Sequence, residues 1–367
     1  MALRHTGETM GDNGWSYVPI LKSKAAEFEA LKHLRRATVD MIMPLIDVVL
    51  PNPTRSKPPA TRPDPAALAL DLLGNWHLRR RIAVDVGPLG QTDAGPALIV
   101  EIARRTHGYQ LRVVPTVHFS DPPDTVDALR EAARLLGHGA CLRVTAEDLY
   151  QHPGDLAVWT DGLLDDLEMQ PDEIDLVFDV GTLRNDTQVD QSITTCRTHL
   201  GSLAHTDRWR SITVASGAFP QDLSEVEPWE VTELPRREIT LWSALQDPRL
   251  PLRRRPGFGD YGIDHPPRRQ PVPARPAPNV RYAVDGRWLV LRGTRTDPDG
   301  NAQFHKVCGE LVHLPEWCGD DFSWGDGQIA ASARRDIGPG IARSWRSYGT
   351  NHHIEFVVHR LRTTGRP

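Results

Sequence analysis

The sequence predicts an α/β protein, a (β/α)8 TIM-like barrel with a small C-terminal α+β extension. Short β-branched runs recur eight times in the first 245 residues, at intervals of 25 to 40 residues. That interval is the length of a strand, a helix and two loops, and amphipathic segments lie between the runs. The predicted strands are residues 17–22, 42–49, 82–87, 111–117, 141–145, 175–181, 211–215 and 238–242.

Two segments illustrate the predicted helices. Residues 25–34 place Phe28, Leu31 and Leu34 on one stripe, and Pro65 opens the apolar run that follows it as a first-turn proline does. Eight alternating units fit either a closed barrel or a large doubly wound sheet. The number eight favours the barrel, and the lack of a Gly-x-Gly-x-x-Gly run after the first strand argues against a dinucleotide-binding sheet.

The chain is predicted to divide into four parts. Residues 1–14 form a polar, disordered tail, residues 15–247 form the barrel, residues 248–279 form a Pro- and Arg-rich irregular connection, and residues 280–367 form the extension, packed near the barrel mouth. Within the extension, Asp285-Gly286 joins two alternating runs and predicts a hairpin. The closing run, residues 354–359, predicts a further strand.

The composition is that of a globular protein, with 39% hydrophobic and 25% charged residues. No run of about eighteen apolar residues occurs, so no membrane span is predicted. The N-terminus lacks an apolar signal segment and the four cysteines suggest no disulfide framework, so the prediction is a cytoplasmic protein. A net charge of −5 argues against broad nucleic-acid binding, but local basic clusters at 253–255 and 268–269 leave local nucleic-acid binding open. The oligomeric state is also left open.

Chemistry in a barrel belongs at the carboxyl ends of the strands. Asp85 and Asp179 stand in matched settings there, each after an apolar run and before Val-Gly, and strand alternation points Asp85 into the barrel. Two carboxylates so placed can face each other across the mouth. The other polar residues at the strand ends are Lys22, Lys24, Asp47, His118 and Arg143.

Two interpretations of this layer stay open. It is either a catalytic or ligand-binding cluster, or a structural salt-bridge network that fills the polar end of the barrel. Paired carboxylates suit general acid–base chemistry or a divalent metal. No metal ligand or cofactor is assigned, because the spacing of His305, Cys308, His313 and Cys318 matches no zinc knuckle and predicts core cysteines and surface histidines instead.

Three stretches carry a resemblance to a known family: residues 17–27 with the run Pro44-Leu-Ile-Asp47, residues 257–261, and residues 322–326 with 345–354. With these the chain resembles the beta-protein family of tailed phages and bacterial genomes. The resemblance implies a context in phage biology or anti-phage defence, and it implies no mechanism.

The third stretch also reads as a candidate site. His352 and His353 on a strand would point to opposite faces, so one of them would face a given pocket. In one interpretation, Trp345 packs on the barrel and Asn351 caps a turn. In the other, this segment and the Asp260-Tyr261 loop close over the mouth as a lid.

The first functional hypothesis is an enzyme that binds a small anionic or nucleotide-like ligand at the mouth. Lys22, Lys24 and Arg143 would hold the anion, and Asp85, Asp179 and His352 or His353 would transfer protons. Further ligand contacts are predicted at Asp260, Tyr261, Arg346 and Asn351.

The alternative is a non-catalytic recognition module that contacts a phage or host protein through the Trp- and Arg-rich C-terminal part. A weaker alternative is a metal-dependent nuclease or phosphodiesterase using Asp47, Asp85 and Asp179.

Overall fold

The structure, a computed structural model, describes residues 17–51, 62–89, 94–151, 156–266 and 276–367. The predicted tail at 1–14 and the basic pair at 268–269 lie outside these residues. The barrel region contains β1 (Tyr17–Lys22), α1 (Ala25–Lys32), α2 (Arg36–Val39), β2 (Leu45–Asp47), α3 (Pro65–Asn75), β3 (Arg81–Asp85), α4 (Ala94–Thr106), β4 (Arg112–Val117), α5 (Pro123–Leu136), β5 (Ala140–Thr145), α6 (Ala146–Gln151), α7 (Leu156–Leu167), β6 (Ile174–Thr182), α8 (Asp186–Ser202), β7 (Ser211–Gly217), β8 (Thr232–Pro235), α9 (Arg237–Leu245) and β9 (Gly257–Asp260).

The C-terminal extension contains β10 (Asn279–Val284), β11 (Arg287–Arg292), α10 (Gln303–Leu311), α11 (Trp324–Ala333) and α12 (Ala342–Thr364). The hairpin of β10 and β11 is confirmed, with Gly286 at φ +72° in its turn. Strand β8, which precedes α9 in the chain, completes this small sheet in the order β10-β11-β8. The extension has a core of its own, in which Phe304, Leu311 and Trp345 are buried.

The predicted barrel is confirmed: eight parallel strands close in the order β1-β2-β3-β4-β5-β6-β7-β9. Side chains from successive strands fill its interior, including Ile20, Leu45, Ala83 and Val177. The helices pack around the outside of the strands through a larger apolar cluster. No helix in the described part of the chain is long and apolar enough to cross a membrane.

The predicted eighth strand was wrong. Residues 238–242 lie in α9, and the barrel is closed by β9, which pairs with β7 and β1. The buried residues Glu238, Leu241, Trp242 and Leu245 follow helical spacing, which a five-residue run is too short to reveal. The last barrel strand therefore lies beyond 247, in the segment predicted to be irregular.

The predicted strand at 354–359 was also wrong, because these residues belong to α12. Ile354, Phe356, Val357 and Val358 are all buried in this helix. A helix buried on most of its faces shows no amphipathic period, so its apolar run looks like that of a strand. The run at 307–313 also looks strand-like in the sequence, but residues 307–311 of it lie in α10.

Gly259 faces the barrel interior at the closing strand. A Cβ built on it would lie 2.7 Å from the Cβ of Ala215 and 3.1 Å from the Cγ2 of Thr213, both on the neighbouring strand β7. A side chain at this position would therefore push β9 away from β7. The chain closes its barrel where glycine permits a close approach.

We predict that Gly259→Ala lowers the free energy of unfolding by about 1–3 kcal/mol, because the added methyl group overpacks the barrel interior. Urea denaturation followed by circular dichroism measures the change. Gly162→Ala is the matched control: Gly162 is exposed on α7 and a Cβ there meets nothing within 4 Å. That variant should be neutral or gain up to about 1 kcal/mol from helix propensity. Equal effects of the two substitutions would contradict the prediction.

Candidate functional site at the barrel mouth

Three polar residues end adjacent strands at one level of the barrel. Lys22 is paired in register with Asp47, and Asp47 is paired with Asp85. Two residues earlier on each strand, Ile20, Leu45 and Ala83 fill the interior. Alternation along a strand puts Lys22 and the two aspartates on the same inner side. The sequence thus builds a polar layer directly above the apolar one.

Arg143 of β5 crosses this layer and joins carboxylates from three other strands. Its Nη1 donates to Asp47 Oδ1 and Asp85 Oδ2, each at 2.6 Å. Its Nε and Nη2 donate to Asp179 Oδ2 at 3.0 and 2.7 Å. Nη2 also contacts the hydroxyl of Tyr261 at 2.8 Å, and that hydroxyl donates to Asp179 Oδ2 at 2.5 Å. We call these five residues the Arg143 network.

The structure therefore brings Asp85 and Asp179 together across the barrel, as the matched strand ends indicated. Their contacts are those of the salt-bridge interpretation, because both carboxylates are bound to the protein's own guanidinium. Asp85 is 0% and Asp179 5% exposed. The Asp85 carboxylate also accepts from the backbone N–H of Gly87, and Asp179 from that of Gly181.

Asp85 has a second cationic partner. The Nε2 of His118 lies 3.0 Å from both of its oxygens. Burial alone would raise the pKa of Asp85, but His118 and Arg143 together hold it well below its usual range. Burial opposes the protonated imidazole, yet Asp85 raises the pKa of His118. Both shifts favour the charged forms of the pair, and a buried ion pair is stable only with such mutual partners.

Asp47 differs from the other two aspartates. Its Oδ1 binds Arg143, but its Oδ2 is buried and, among the described residues, has no hydrogen-bond partner. Burial raises the pKa of Asp47 to about 6, against the opposing effect of Arg143. A carboxyl group that titrates near neutrality and keeps one oxygen free is suited to accept or donate a proton.

A cleft opens above Asp47, and a group of cations lines it. The Nζ of Lys22 lies 2.6 Å and the Nη1 of Arg346 2.9 Å from Asp264 Oδ2. The Nη1 of Arg281 lies 3.8 Å from Asp264 Oδ1. The cleft is lined by Ile20, Leu21, Lys22, Glu27, Asp47, Tyr261, Ile263, Asp264, His265, Arg346 and Thr350.

Three cations thus share one carboxylate. Burial and the neighbouring Arg346 lower the pKa of Arg281 to about 9. Burial would raise the pKa of Asp264, but Arg346 and Lys22 hold it well below its usual range. Burial and Lys22 also lower the pKa of Lys24, which lies near this group. The positive charge at the cleft exceeds what Asp264 neutralises.

The two adjacent histidines lie on α12, so the expectation of opposite strand faces was wrong. Both are 0% exposed, and neither lines the cleft. His352 Nδ1 lies 2.9 Å from Asp326 Oδ2, and its ring stacks on Tyr282 at 3.7 Å. His353 Nε2 lies 2.8 Å from Asp260 Oδ2.

Asp260 is the centre of a second buried polar group, which also contains Tyr17, Arg236, Glu238 and His353. It ends the closing strand β9, and its Oδ1 accepts from the hydroxyl of Tyr17 at 2.7 Å. Arg236 Nη2 lies 3.3 Å from Asp260 Oδ2, and Arg236 Nε donates to Glu238 at 3.0 Å. Asp260 thus holds α12 to the barrel wall, while the next residue, Tyr261, joins the Arg143 network.

The contacts of Asn351 and Trp345 differ from the interpretation in which Trp345 packs on the barrel and Asn351 caps a turn. Asn351 lies within α12 and not in a turn: its Oδ1 accepts from Gly325 N, in the first turn of α11, at 2.9 Å, and its Nδ2 donates to Ala30 O at 3.0 Å. Trp345 packs within the core of the extension, stacked on Phe304, and not on the barrel. The part of α12 that reaches the mouth is Arg346 and Thr350, which line the cleft.

Sequence reasoning assigned no site role to two lining residues, Asp264 and Glu27, or to Arg281 beside them. Asp264 lies in the segment predicted to be irregular, Arg281 in the hairpin, and Glu27 was named only within a family stretch. The only signal for them in the sequence is that polar residues lie close to the stretches that resemble the family. Asp264 contacts Lys22 across 242 positions of sequence, which no local pattern encodes.

The described residues contain no group of three or more His, Cys, Asp or Glu side chains arranged to hold a metal ion. Asp47, Asp85 and Asp179 do converge, but the Arg143 guanidinium occupies the position between them. Cys308 is buried in the core of the extension, whereas His313 is exposed.

The fold and the mouth together define a (β/α)8 barrel protein with a charged cleft at the carboxyl ends of its strands, which is where such barrels place their sites. The family model described as Beta protein matches residues 17–359, so the chain belongs to the Beta protein family. The comparison with curated proteins found no significant match.

We predict that Arg143→Leu lowers the free energy of unfolding by about 3–5 kcal/mol at pH 7, because three buried carboxylates lose their counter-charge. The loss should shrink toward acidic pH, where those carboxylates are protonated. Denaturant titrations across pH measure it. Arg104→Leu is the control, since Arg104 is 60% exposed in its pair with Glu131 and should change stability by less than about 0.5 kcal/mol. A comparable loss in both variants would refute the role of Arg143.

A second prediction concerns Asp47→Asn. The pKa of Asp47 is raised from 3.8 to about 6, so the folded state binds its proton more tightly than the unfolded state does. The wild-type protein therefore loses stability at this group as pH rises from about 4 to about 6. Asparagine does not titrate, so the variant should gain about 3 kcal/mol relative to wild type across that window, at about 1.4 kcal/mol per pKa unit.

Chemical denaturation at several pH values tests this. Asp127→Asn, at a carboxylate that is 63% exposed, should give a difference from wild type that hardly changes with pH. A flat profile for Asp47→Asn would show that its carboxyl titrates normally.

Proposed function

We propose that the chain is an enzyme that binds a small anionic or nucleotide-like ligand in the cleft at the barrel mouth. The observation that supports this most is the group of Lys22, Arg281 and Arg346 around the single carboxylate of Asp264. Asp264 carries one negative charge against their three positive ones, and the side chains of Lys22 and Arg346, which line the cleft, are 19% and 31% exposed, so a ligand can reach them. Cations held in place in a partly desolvated cleft are suited to bind carboxylate or phosphate groups.

The proposed roles differ in part from those expected from sequence. Lys22 and Arg346 would contact the anion, with Lys24 and Arg281 adding to the positive potential. Arg143 would act on the site indirectly, by holding Asp47 and Tyr261 in place. We assign proton transfer to Asp47, because it is the aspartate of the network that lines the cleft and has an oxygen without a hydrogen-bond partner among the described residues. Asp85, Asp179, His352 and His353 would then be positioning residues.

The recognition-module alternative has less support. Trp288 is 1% and Trp345 4% exposed, so these side chains offer little contact surface. A metal-dependent nuclease using Asp47, Asp85 and Asp179 would have to displace the Arg143 guanidinium from between its ligands. The phage-related or anti-phage context of the proposal is supported by the family alone.

Isothermal titration calorimetry with inorganic phosphate and AMP tests the ligand site. We expect Lys22→Met and Arg346→Met to weaken binding about tenfold or more, since a hydrogen bond to a charged group contributes about 1.5–3 kcal/mol. Lys32→Met is the matched control, because Lys32 is exposed on α1. No binding to either probe, or equal weakening by Lys32→Met, would reject the anion site.

The biological context needs its own test. Bacteria that express the chain are challenged with a panel of tailed phages, and plaques are counted. A defence role predicts fewer plaques with the wild-type chain than with Lys22→Met at equal expression. Equal plaque numbers for the wild type, the variant and an empty vector would remove the defence context and leave ligand binding to be judged separately.

A further inference from the structure

The cleft contains two buried carboxylates with unused hydrogen-bonding capacity. Glu27 is 3% and Asp47 1% exposed, and both line the cleft. Within the described residues, neither Glu27 Oε2 nor Asp47 Oδ2 has a hydrogen-bond partner. A buried carboxylate oxygen without a donor is costly, so a pair of them in one cleft calls for a group that supplies donors.

The same cleft also has the opposite requirement. Lys22 and Arg346 both bind one oxygen of Asp264 and retain further donors. The lining therefore contains an acceptor pair, Glu27 and Asp47, and a cationic pair, Lys22 and Arg346. A ligand with an anion alone would match the cationic pair and add repulsion at the acceptor pair.

We propose that the ligand of this cleft is a small zwitterion, with a positively charged nitrogen group bound by Glu27 and Asp47 and an anionic group bound by Lys22 and Arg346. This rests on the proposed anion-binding function and names the ligand class for that site. Lys22 and Asp47 are register partners on adjacent strands, so the two charged groups of the ligand are only a few bonds apart. A protonated amine supplies donors for the two unpaired oxygens and a positive charge beside them, whereas a neutral donor supplies only the former.

The titration behaviour of the two carboxylates agrees with this assignment. Burial raises the pKa of Glu27, with Arg346 opposing, and burial raises that of Asp47 to about 6, with Arg143 opposing and Asp85 and Asp179 adding to the increase. A cation bound beside Asp47 favours its charged form and should expel a proton near pH 6. An anion bound alone has the reverse effect and should cause proton uptake.

The sign of proton exchange on binding tests the proposal. Binding to the full-length protein is measured by calorimetry at pH 6 in two buffers with different ionisation enthalpies. The probes are taurine against ethanesulfonate and 4-aminobutyrate against butyrate, so each pair differs only in the amine. We expect the amino compounds to bind about tenfold more tightly and to release protons, since a charge-assisted hydrogen bond contributes at least about 1.5 kcal/mol.

Two variants locate the amine. Asp47→Asn should abolish proton release and remove most of the preference for taurine, and Glu27→Gln should reduce that preference, while both keep their circular dichroism spectra. Asp127→Asn should leave taurine binding and proton release as in wild type.

The outcomes distinguish this proposal from the anion-binding proposal on which it rests. Equal affinity for the members of each pair, or proton uptake with taurine, overturns the zwitterion and leaves the anion site intact. Binding of phosphate or AMP without binding of either amino compound does the same. Absence of binding by all six compounds rejects both proposals.

Discussion

The guanidinium of Arg143 is the interaction on which the upper part of the barrel depends. Aspartates from β2, β3 and β6 point into one small space, and without a cation between them their mutual repulsion would add to the cost of burial. The guanidinium is planar and has five donors, so it can bind three carboxylates and the Tyr261 hydroxyl at once, whereas a lysine has only three donors. The position of Arg143 decides which carboxylate oxygens of the aspartates remain available to another group.

That arrangement leaves the three aspartates of one layer with different numbers of hydrogen-bond partners. Asp85 is fully engaged by Arg143, His118 and a backbone N–H, and Asp179 by Arg143, Tyr261 and a backbone N–H. Asp47 is the one of the three that keeps an oxygen without a hydrogen-bond partner in the described part of the chain. Because Arg143 is occupied in this way, the cations left to meet a ligand are those that reach the mouth from other elements: Lys22 from β1, Arg281 from β10 and Arg346 from α12.

Much of the barrel could be predicted from sequence, because seven of its strands are β-branched runs flanked by helical patterns. The inward direction of Asp85 followed from alternation with Val84 and Val86. The closing strand could not be predicted, since Gly257-Phe-Gly-Asp260 has two glycines where β-branched residues are expected. Gly259 makes sense only against Ala215 and Thr213 of β7, which are more than 40 positions earlier in the chain.

The site was less predictable than the fold. Strand ends identified Lys22, Asp47, Asp85, Arg143 and Asp179 as neighbours, because parallel strands place their carboxyl ends together. Which of them bind one another and which face a cleft depends on residues that arrive from the extension. Arg346 was named only through the family resemblance, and nothing local distinguished Asp264 or Arg281. Long-range pairing between charged side chains leaves no periodic trace in a sequence.

The closing strand also determines how the molecule comes apart. Asp260 is bound to Tyr17 of the first strand and to His353 of the last helix, so one carboxylate holds the seam of the barrel and the C-terminal helix together. Opening that seam would break the Tyr17–Asp260 contact, and removing the helix would take His353 away from Asp260 and leave it with Tyr17 and Arg236. Barrel and extension should therefore melt in a single cooperative transition, with no stable intermediate in which the barrel alone is folded.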